Sequence, residues 1–240
     1  METYIYDIDG TLTLEFGDKA SEEHFDTYAF WPLINYYFAK DSKVLHQKTK
    51  NWDCSYKGEN DEFIKGTQNI VQISIAHFHE NVTRDSIVSR AKNITHEFIT
   101  HNIIRQKAIA HLKKNIELNN TCILSTSSYQ DGAYGFVLAL IEENLLPINT
   151  LDKIIISGSI IDWQNRVVLH TNIDYNKIIG LYQQCAKQGI QLNPGEIKGI
   201  YINDPEGNDS GLCDFKLEAV FLIETNKNKD KKYIFNKENW

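Results

Sequence analysis

Two aspartates one residue apart, Asp7 and Asp9, close the short apolar run Thr3-Tyr4-Ile5-Tyr6 and lead directly into Gly10-Thr11-Leu12-Thr13. Far along the chain Asp204 and Asp209 follow another apolar run, Ile200-Tyr201-Ile202, with Asn203 between. Ser125 and Thr126 stand at the end of Cys122-Ile123-Leu124, and Lys177 opens a helical stretch. Two carboxylates at one strand end and two at another make the hard, oxygen-rich site that magnesium prefers. A hydroxyl and an ammonium beside them suit phosphate oxygens, so the chemistry indicated is magnesium-assisted phosphoryl transfer. Taken singly, each element also fits an ordinary structural role. Asp-Ile-Asp-Gly describes a polar turn, Ser125 a helix N-cap, Lys177 a solvated lysine, and Asp204 and Asp209 turn formers. Their order and placement make the case.

The elements that must position these residues follow from the apolar pattern. Residues 3–8 are β-branched and aromatic and stop at Asp9-Gly10, which predicts a buried strand ending in a polar loop. From 103 onward short apolar runs alternate with helical periodicity. Helices are predicted over 103–118, 133–143 and 176–188, and strands over 121–124, 153–157, 198–202 and 219–224. Residues 159–169 predict a hairpin with Gln164-Asn165 at its turn. Short apolar strands separated by helices imply an α/β fold with a mostly parallel sheet buried on both faces. Ligand sites on such sheets lie beyond the carboxyl ends of the strands. Residues 15–102 differ in texture. They carry Phe25, Tyr28, Phe30, Trp31, Tyr36, Tyr37 and Phe38, and the series Ile87, Val88, Ala91, Ile94, Phe98 and Ile99 at helical steps. This segment is expected to form a helical cap, with 1–14 and 103–240 forming the catalytic core.

Bulk composition narrows the class. The 240 residues, 42% hydrophobic and 24% charged, suit one core domain with a smaller insertion. A net charge of −7 argues against nucleic acid as the partner, because such footprints are basic. Cys54, Cys122, Cys185 and Cys213 are scattered without a CxxC pair, which suggests neither a zinc knuckle nor a disulfide framework. No stretch is long and apolar enough for a membrane span, and no apolar signal region opens the chain, so a cytoplasmic setting is expected. His77 and His79 lack an evident third ligand and are expected to be structural. The lysine-rich tail 226–232 is expected to be mobile.

These residues resemble the haloacid dehalogenase-like superfamily, in its phosphoserine-phosphatase-like branch. Asp7-Ile8-Asp9-Gly10-Thr11-Leu12-Thr13 looks like its first motif, and Cys122–Ser127 like its second, an apolar strand ending in Ser or Thr. Lys177 falls where the third motif's lysine is expected, and Tyr201-Ile202-Asn203-Asp204 with Asp209 resembles the acidic fourth motif. Asn203 stands where Gly or Ser is usual, and Asp214 is a fallback for the second acid. The resemblance covers about 1–20 and 103–225. It implies a Rossmann-like sheet flanked by helices, with the cap inserted after the first strand.

The resemblance also implies roles. Asp7 would be the nucleophile, forming an aspartyl-phosphate, and Asp9 the proton donor and acceptor. Ser125 and Thr126 would hold the phosphate with Lys177. Magnesium would be bound by Asp7, the Ile8 carbonyl, Asp9, Asp204 and Asp209. The expected activity is hydrolysis of a small phosphorylated metabolite by a monomer or homodimer that engages neither nucleic acid nor membrane. A phosphotransferase of the same chemistry and a non-catalytic binding protein retaining the fold are the alternatives. True phosphoserine phosphatases would add a glutamate soon after motif one and a cap arginine. Glu15 stands one position early, and Arg84 and Arg90 are the arginine candidates.

Overall fold

The computed structural model describes residues 2–14, 29–49, 60–225, 228, 235–238 and 240. Strand β1 (Thr3–Tyr6) lies in the middle of a sheet with seven strands among the described residues. Its neighbours are β2 (Thr121–Tyr129) on one side and β5 (Ile197–Ile202) on the other, both parallel to it. Beyond β2 come β3 (Ile154–Asp162), parallel, and β4 (Val167–His170), antiparallel at the edge. Beyond β5 come β6 (Val220–Ile223) and β7 (Asn236–Glu238), both parallel. The order β4-β3-β2-β1-β5-β6-β7 makes this an α/β fold with a Rossmann-like, mostly parallel sheet.

Side chains that alternate along each strand divide between two cores. Tyr6, Cys122, Leu124, Ile154 and Tyr201 enter one cluster. Ile5, Ile123, Ile155, Ile200 and Ile202 enter the other. Helices α1 (Phe30–Phe38), α4 (Arg84–Thr100), α5 (Gln106–Glu117) and α6 (Gln130–Glu142) contribute to the first cluster. Helices α7 (Tyr175–Lys187) and α8 (Ser210–Phe215) contribute to the second. Because both faces are covered, the strands are continuous apolar runs rather than an alternation of polar and apolar residues.

Two elements differ from expectation. Strand β2 does not stop at Leu124 but continues through Ser125–Ser128 to Tyr129, with a register shift against β3. Backbone carbonyls of this polar stretch are bonded by neighbouring side chains: Ser159 Oγ donates to the Ser127 carbonyl at 2.9 Å, and Asn172 Nδ2 to the Thr126 carbonyl at 2.8 Å. Most of the tail 226–232 lies outside the described residues. Asn228, however, is buried, and past it β7 adds a strand the apolar pattern does not reveal, because Asn236-Lys237-Glu238 is wholly polar.

The helices between β1 and β2 include α2 (Ser42–Thr49) and α3 (Asn60–Ala76). Contacts that fasten them to the rest of the chain include the α4–α6 packing and the hold of Arg166 on the end of α3. Helix α4 starts in a capping box between Thr83 and Ser86 and lies tight on α6, where a Cβ on Gly135 would sit 2.4 Å from the Val88 carbonyl. Arg84–Asp131 at 2.9 Å and Lys92–Glu142 at 2.6 Å flank that contact. The end of α3 is held by Arg166 in the β3–β4 turn, whose guanidinium donates to the carbonyls of Ile75, Phe78 and His79. Gln72 of α3 closes onto the Arg166 carbonyl at 2.9 Å and the Val168 amide at 3.1 Å. No helix among the described residues is long and apolar enough to cross a membrane.

Candidate active site

Residues following β1 and β5 and a carbonyl within β2 meet at one ammonium. The Asp7 amide donates to the Tyr201 carbonyl at 2.9 Å, extending the ladder one residue past β1 and setting Asp7 at the sheet's end. Lys177, the third residue of α7, is fully buried. Its Nζ donates to Asp7 Oδ1 at 3.0 Å, to the Ser125 carbonyl at 3.3 Å and to Asp209 Oδ1. Helix α7 thus brings the sequence-expected lysine to the sequence-expected carboxylates.

Motif one turns sharply after Ile8. Amides of Thr11, Leu12 and Thr13 donate to the Ile8 carbonyl at 3.1, 2.9 and 3.1 Å, and the Thr13 hydroxyl reaches it at 3.3 Å. That carbonyl is consumed by the turn, which removes Ile8 from the expected metal ligands. Gly10 sits at φ +81°, a left-handed conformation that glycine adopts without strain. A Cβ there would lie 2.3 Å from Asn203 Nδ2, so the motif-four asparagine fills the space that glycine leaves. Thr11 Oγ1 donates to Asn203 Oδ1 at 3.3 Å. Replacing Gly10 with Ala is expected to destabilise the fold by about 1–2 kcal/mol through left-handed strain alone, and by more through the clash. Chemical denaturation of Gly10→Ala, Asn203→Gly and the double variant checks this. The double variant should recover the clash but not the strain, and strictly additive losses would sink the contact.

The two motif-one acids have different surroundings. Asp7 is buried, and burial, followed by the neighbouring Asp209, raises its carboxyl well above the usual range while Lys177 opposes the shift. Asp9 is less enclosed; burial pushes it up to about 6, against the Phe30 amide and Lys177. Its Oδ1 accepts from that amide at 3.0 Å, at the start of α1. Asp9 therefore caps α1 across the chain, a role that local sequence cannot reveal.

Ser125 is buried within β2 and is not a helix N-cap, because α6 begins only at Gln130. Its hydroxyl faces Asn172 Nδ2 at 3.5 Å. Thr126 offers its hydroxyl to the Ser128 amide at 3.1 Å. In the motif-four loop Asp209 is buried, with Oδ1 on Lys177 and Oδ2 accepting from the Asp204 amide at 3.3 Å. Asp204 is half-buried and accepts from the Asn208 amide at 3.1 Å. Asp214 is exposed on α8, leaving Asp209 as the second acid beside the lysine. Asn228 ties this loop to β6, donating to the carbonyls of Asn203 and Ile223 at 2.9 Å each.

The candidate cap arginines are engaged elsewhere. Arg84 pairs with Asp131, and Arg90 lies over the Tyr37 ring at 4.4 Å. Glu15 lies outside the described residues. His77 is held by the Ile73 carbonyl and Lys48, and His79 donates its amide to the Phe38 carbonyl.

Asp7 and Asp209 share one ammonium, an excess of negative charge on oxygen donors, which suits a small hard divalent cation. Among the described residues no three His, Cys, Asp or Glu side chains are already gathered as a metal cage. Asp7 and Asp209 are turned to Lys177, and Asp204 to the Asn208 amide. The residues fit magnesium by donor type and charge, with Asp7, Asp204 and Asp209 as the available carboxylates.

No protein-family model matches the chain, and no curated protein sequence matches it. Solved structures do. A Bordetella pertussis Tohama I protein of unknown function superposes with a TM-score of 0.59 at 10% identity, covering 100% of this chain and 99% of its own. Cytosolic 5′-nucleotidase IIIB bound to cytidine gives 0.56 at 12%, covering 97% of this chain and 77% of its own. A substrate-bound phosphoserine phosphatase complex gives 0.51 at 13%, covering 98% and 92%. The chain therefore shares the fold of these structures, a mostly parallel sheet with helices inserted between β1 and β2.

Proposed function

We propose that this chain is a magnesium-dependent phosphatase that hydrolyses a small phosphorylated metabolite through an aspartyl-phosphate. The observation that carries this reading is the buried Lys177 ammonium shared by Asp7, Asp209 and the Ser125 carbonyl. Similarity in fold to a phosphoserine phosphatase and a nucleotidase supports it.

In the first half-reaction an Asp7 oxygen bonds to phosphorus as the bond to the leaving oxygen breaks. Asp9 gives its proton to that oxygen, and a carboxyl pushed up to about 6 is suited to donate it near neutrality. In the second, Asp9 takes the proton from a water that attacks phosphorus, releasing phosphate and restoring Asp7. Lys177 neutralises charge between Asp7 and the phosphoryl oxygens, offsetting the repulsion of carboxylate and phosphate dianion. The Ser125 hydroxyl orients one phosphoryl oxygen. Magnesium, held by Asp7, Asp204, Asp209 and an oxygen of Asp9, would supply further charge stabilisation to the transferring group.

The test is hydrolysis of p-nitrophenyl phosphate by the purified chain. Turnover should disappear on chelation and return with added magnesium but not with zinc. Turnover indifferent to chelation would overturn the metal assignment, and silence with magnesium present would favour a binding protein.

A further inference from the structure

The geometry points to Asn172 as a positioning residue for this site, setting both the phosphate-binding end of β2 and the depth at which α7 presents Lys177. The inference rests on the phosphoryl-transfer reading above.

Asn172 follows β4 in the buried segment Thr171–Asp174 and has no exposed surface. Its Nδ2 donates to the Thr126 carbonyl at 2.8 Å and the Ser157 carbonyl at 3.2 Å, and faces the Ser125 hydroxyl at 3.5 Å. Its Oδ1 accepts from Ser157 Oγ at 3.1 Å. Its amide donates to Ser159 Oγ at 3.1 Å, and that hydroxyl in turn donates to the Ser127 carbonyl at 2.9 Å. One side chain and its amide therefore control the path of Ser125–Ser127, where the β2–β3 register, last in step at Ser125 and Ser157, shifts before Tyr129. Regular ladder bonds no longer define the strand there, and the asparagine replaces them.

The same side chain bears on α7. A Cβ at Gly180 would lie 2.4 Å from Asn172 Oδ1 and 2.7 Å from Ser157 Oγ, so the helix rests on this cluster with no spare room. Lys177 is one turn earlier on α7, and its ammonium accommodates three acceptors at once. A small change in helix depth would break that arrangement. The segment's other end reaches motif four, where the Asp174 amide donates to the Asn208 carbonyl at 2.8 Å and Ser210 Oγ donates to Asp174 Oδ1 at 2.6 Å. Buried networks of this kind rigidify what they touch.

Asn172→Asp and Asn172→Ala test the role, with Ser157→Ala as a milder loosening of the same amide. Asn115→Ala is the control: Asn115 is a comparably buried amide in the other core, bonded to Tyr6 Oη and the His111 carbonyl. Each protein is checked by circular dichroism and thermal melting. Each is then assayed for p-nitrophenyl phosphate hydrolysis with magnesium and for inhibition by inorganic phosphate. In Asn172→Asp an oxygen replaces the donor facing the Thr126 and Ser157 carbonyls, and kcat is expected to fall about 10- to 100-fold with weaker phosphate inhibition. Asn115→Ala should lower Tm while leaving kcat and phosphate inhibition within about twofold.

Folded Asn172 variants with both constants at wild-type values would overturn the role. So would a control as impaired as Asn172→Ala, since the effect would then be the general cost of a lost buried hydrogen bond. Should the Asn172 variants not fold, Ser157→Ala decides: a fall in kcat of about threefold or more with weaker phosphate inhibition supports the role, and unchanged constants overturn it. A wild type with neither magnesium-dependent hydrolysis nor phosphate binding would overturn the functional reading itself. Wild-type turnover with unaffected variants would remove only Asn172.

Discussion

Asp7→Asn is expected to abolish p-nitrophenyl phosphate hydrolysis, lowering kcat by roughly 10⁴-fold or more, while the protein stays folded with an equal or higher Tm. Removing a nucleophile from a group of residues that act together costs nearly the whole catalytic effect. Stability moves the other way because Asp7 is a buried carboxylate facing Asp209 and Asp9, and its carboxyl is raised by that burial and repulsion. The amide has similar shape, carries no charge and can still accept from Lys177 through its oxygen. Steady-state assays beside thermal melts read both effects, and mass spectrometry of acid-quenched enzyme reads the aspartyl-phosphate, present in wild type and absent in the variant. A variant with near-normal turnover would remove Asp7 as nucleophile.

Lys177→Met should damage both function and fold. The ammonium has no exposed surface and is the cation shared by Asp7 and Asp209, so removing it leaves buried carboxylates uncompensated. Such losses run to about 3–5 kcal/mol, and loss of one charge stabiliser in the transition state to about 10²–10³ in kcat. The stability deficit should depend on pH. Without the lysine, the Asp7 carboxyl, already raised by burial, rises further. A carboxyl whose folded pKa exceeds its unfolded value of about 3.9 contributes stability below that value and loses it as pH rises through the folded pKa. The variant should therefore lie nearest to wild type in mild acid and fall away toward pH 8. Urea denaturation at pH 5, 6.5 and 8 measures the trend, and a deficit that is constant or larger in acid would show that charge compensation is not what Lys177 provides.

Motif one was the most legible part of the site because its spacing is local: a strand, two acids and a glycine turn occupy consecutive positions. Lys177 and Asp209 were legible only by order along the chain, since their meeting depends on α7 crossing back to β1. The Ile8 carbonyl illustrates the limit. Nothing in Asp-Ile-Asp-Gly distinguishes a carbonyl facing a metal from one turned into its own loop, and three amides settle the matter only in three dimensions. Asn203, unusual beside Asp204, makes sense once Gly10 is seen to leave the space it fills. Strand β2 was read as too short because serine and threonine signal loops, whereas here Asn172 and Ser159 bond the backbone carbonyls of Thr126 and Ser127. Strand β7 carries no apolar pattern at all, so only its pairing with β6 reveals it.

The position of β1 has a consequence for biosynthesis. Both of its partners come from later in the chain, so β1 cannot complete its pairing until β2 and then β5 have been translated. Lys177 follows Asp7 by 170 residues, an interval of roughly 10–30 s at ordinary elongation rates. Through that time Asp7 lacks its ammonium, and the edge of β1 that β5 covers stays open, because β5 follows α7. A ribosome stalled before α7 would hold a chain with β1 paired at most to β2, and with Asp7 lacking the ammonium it meets in the finished fold.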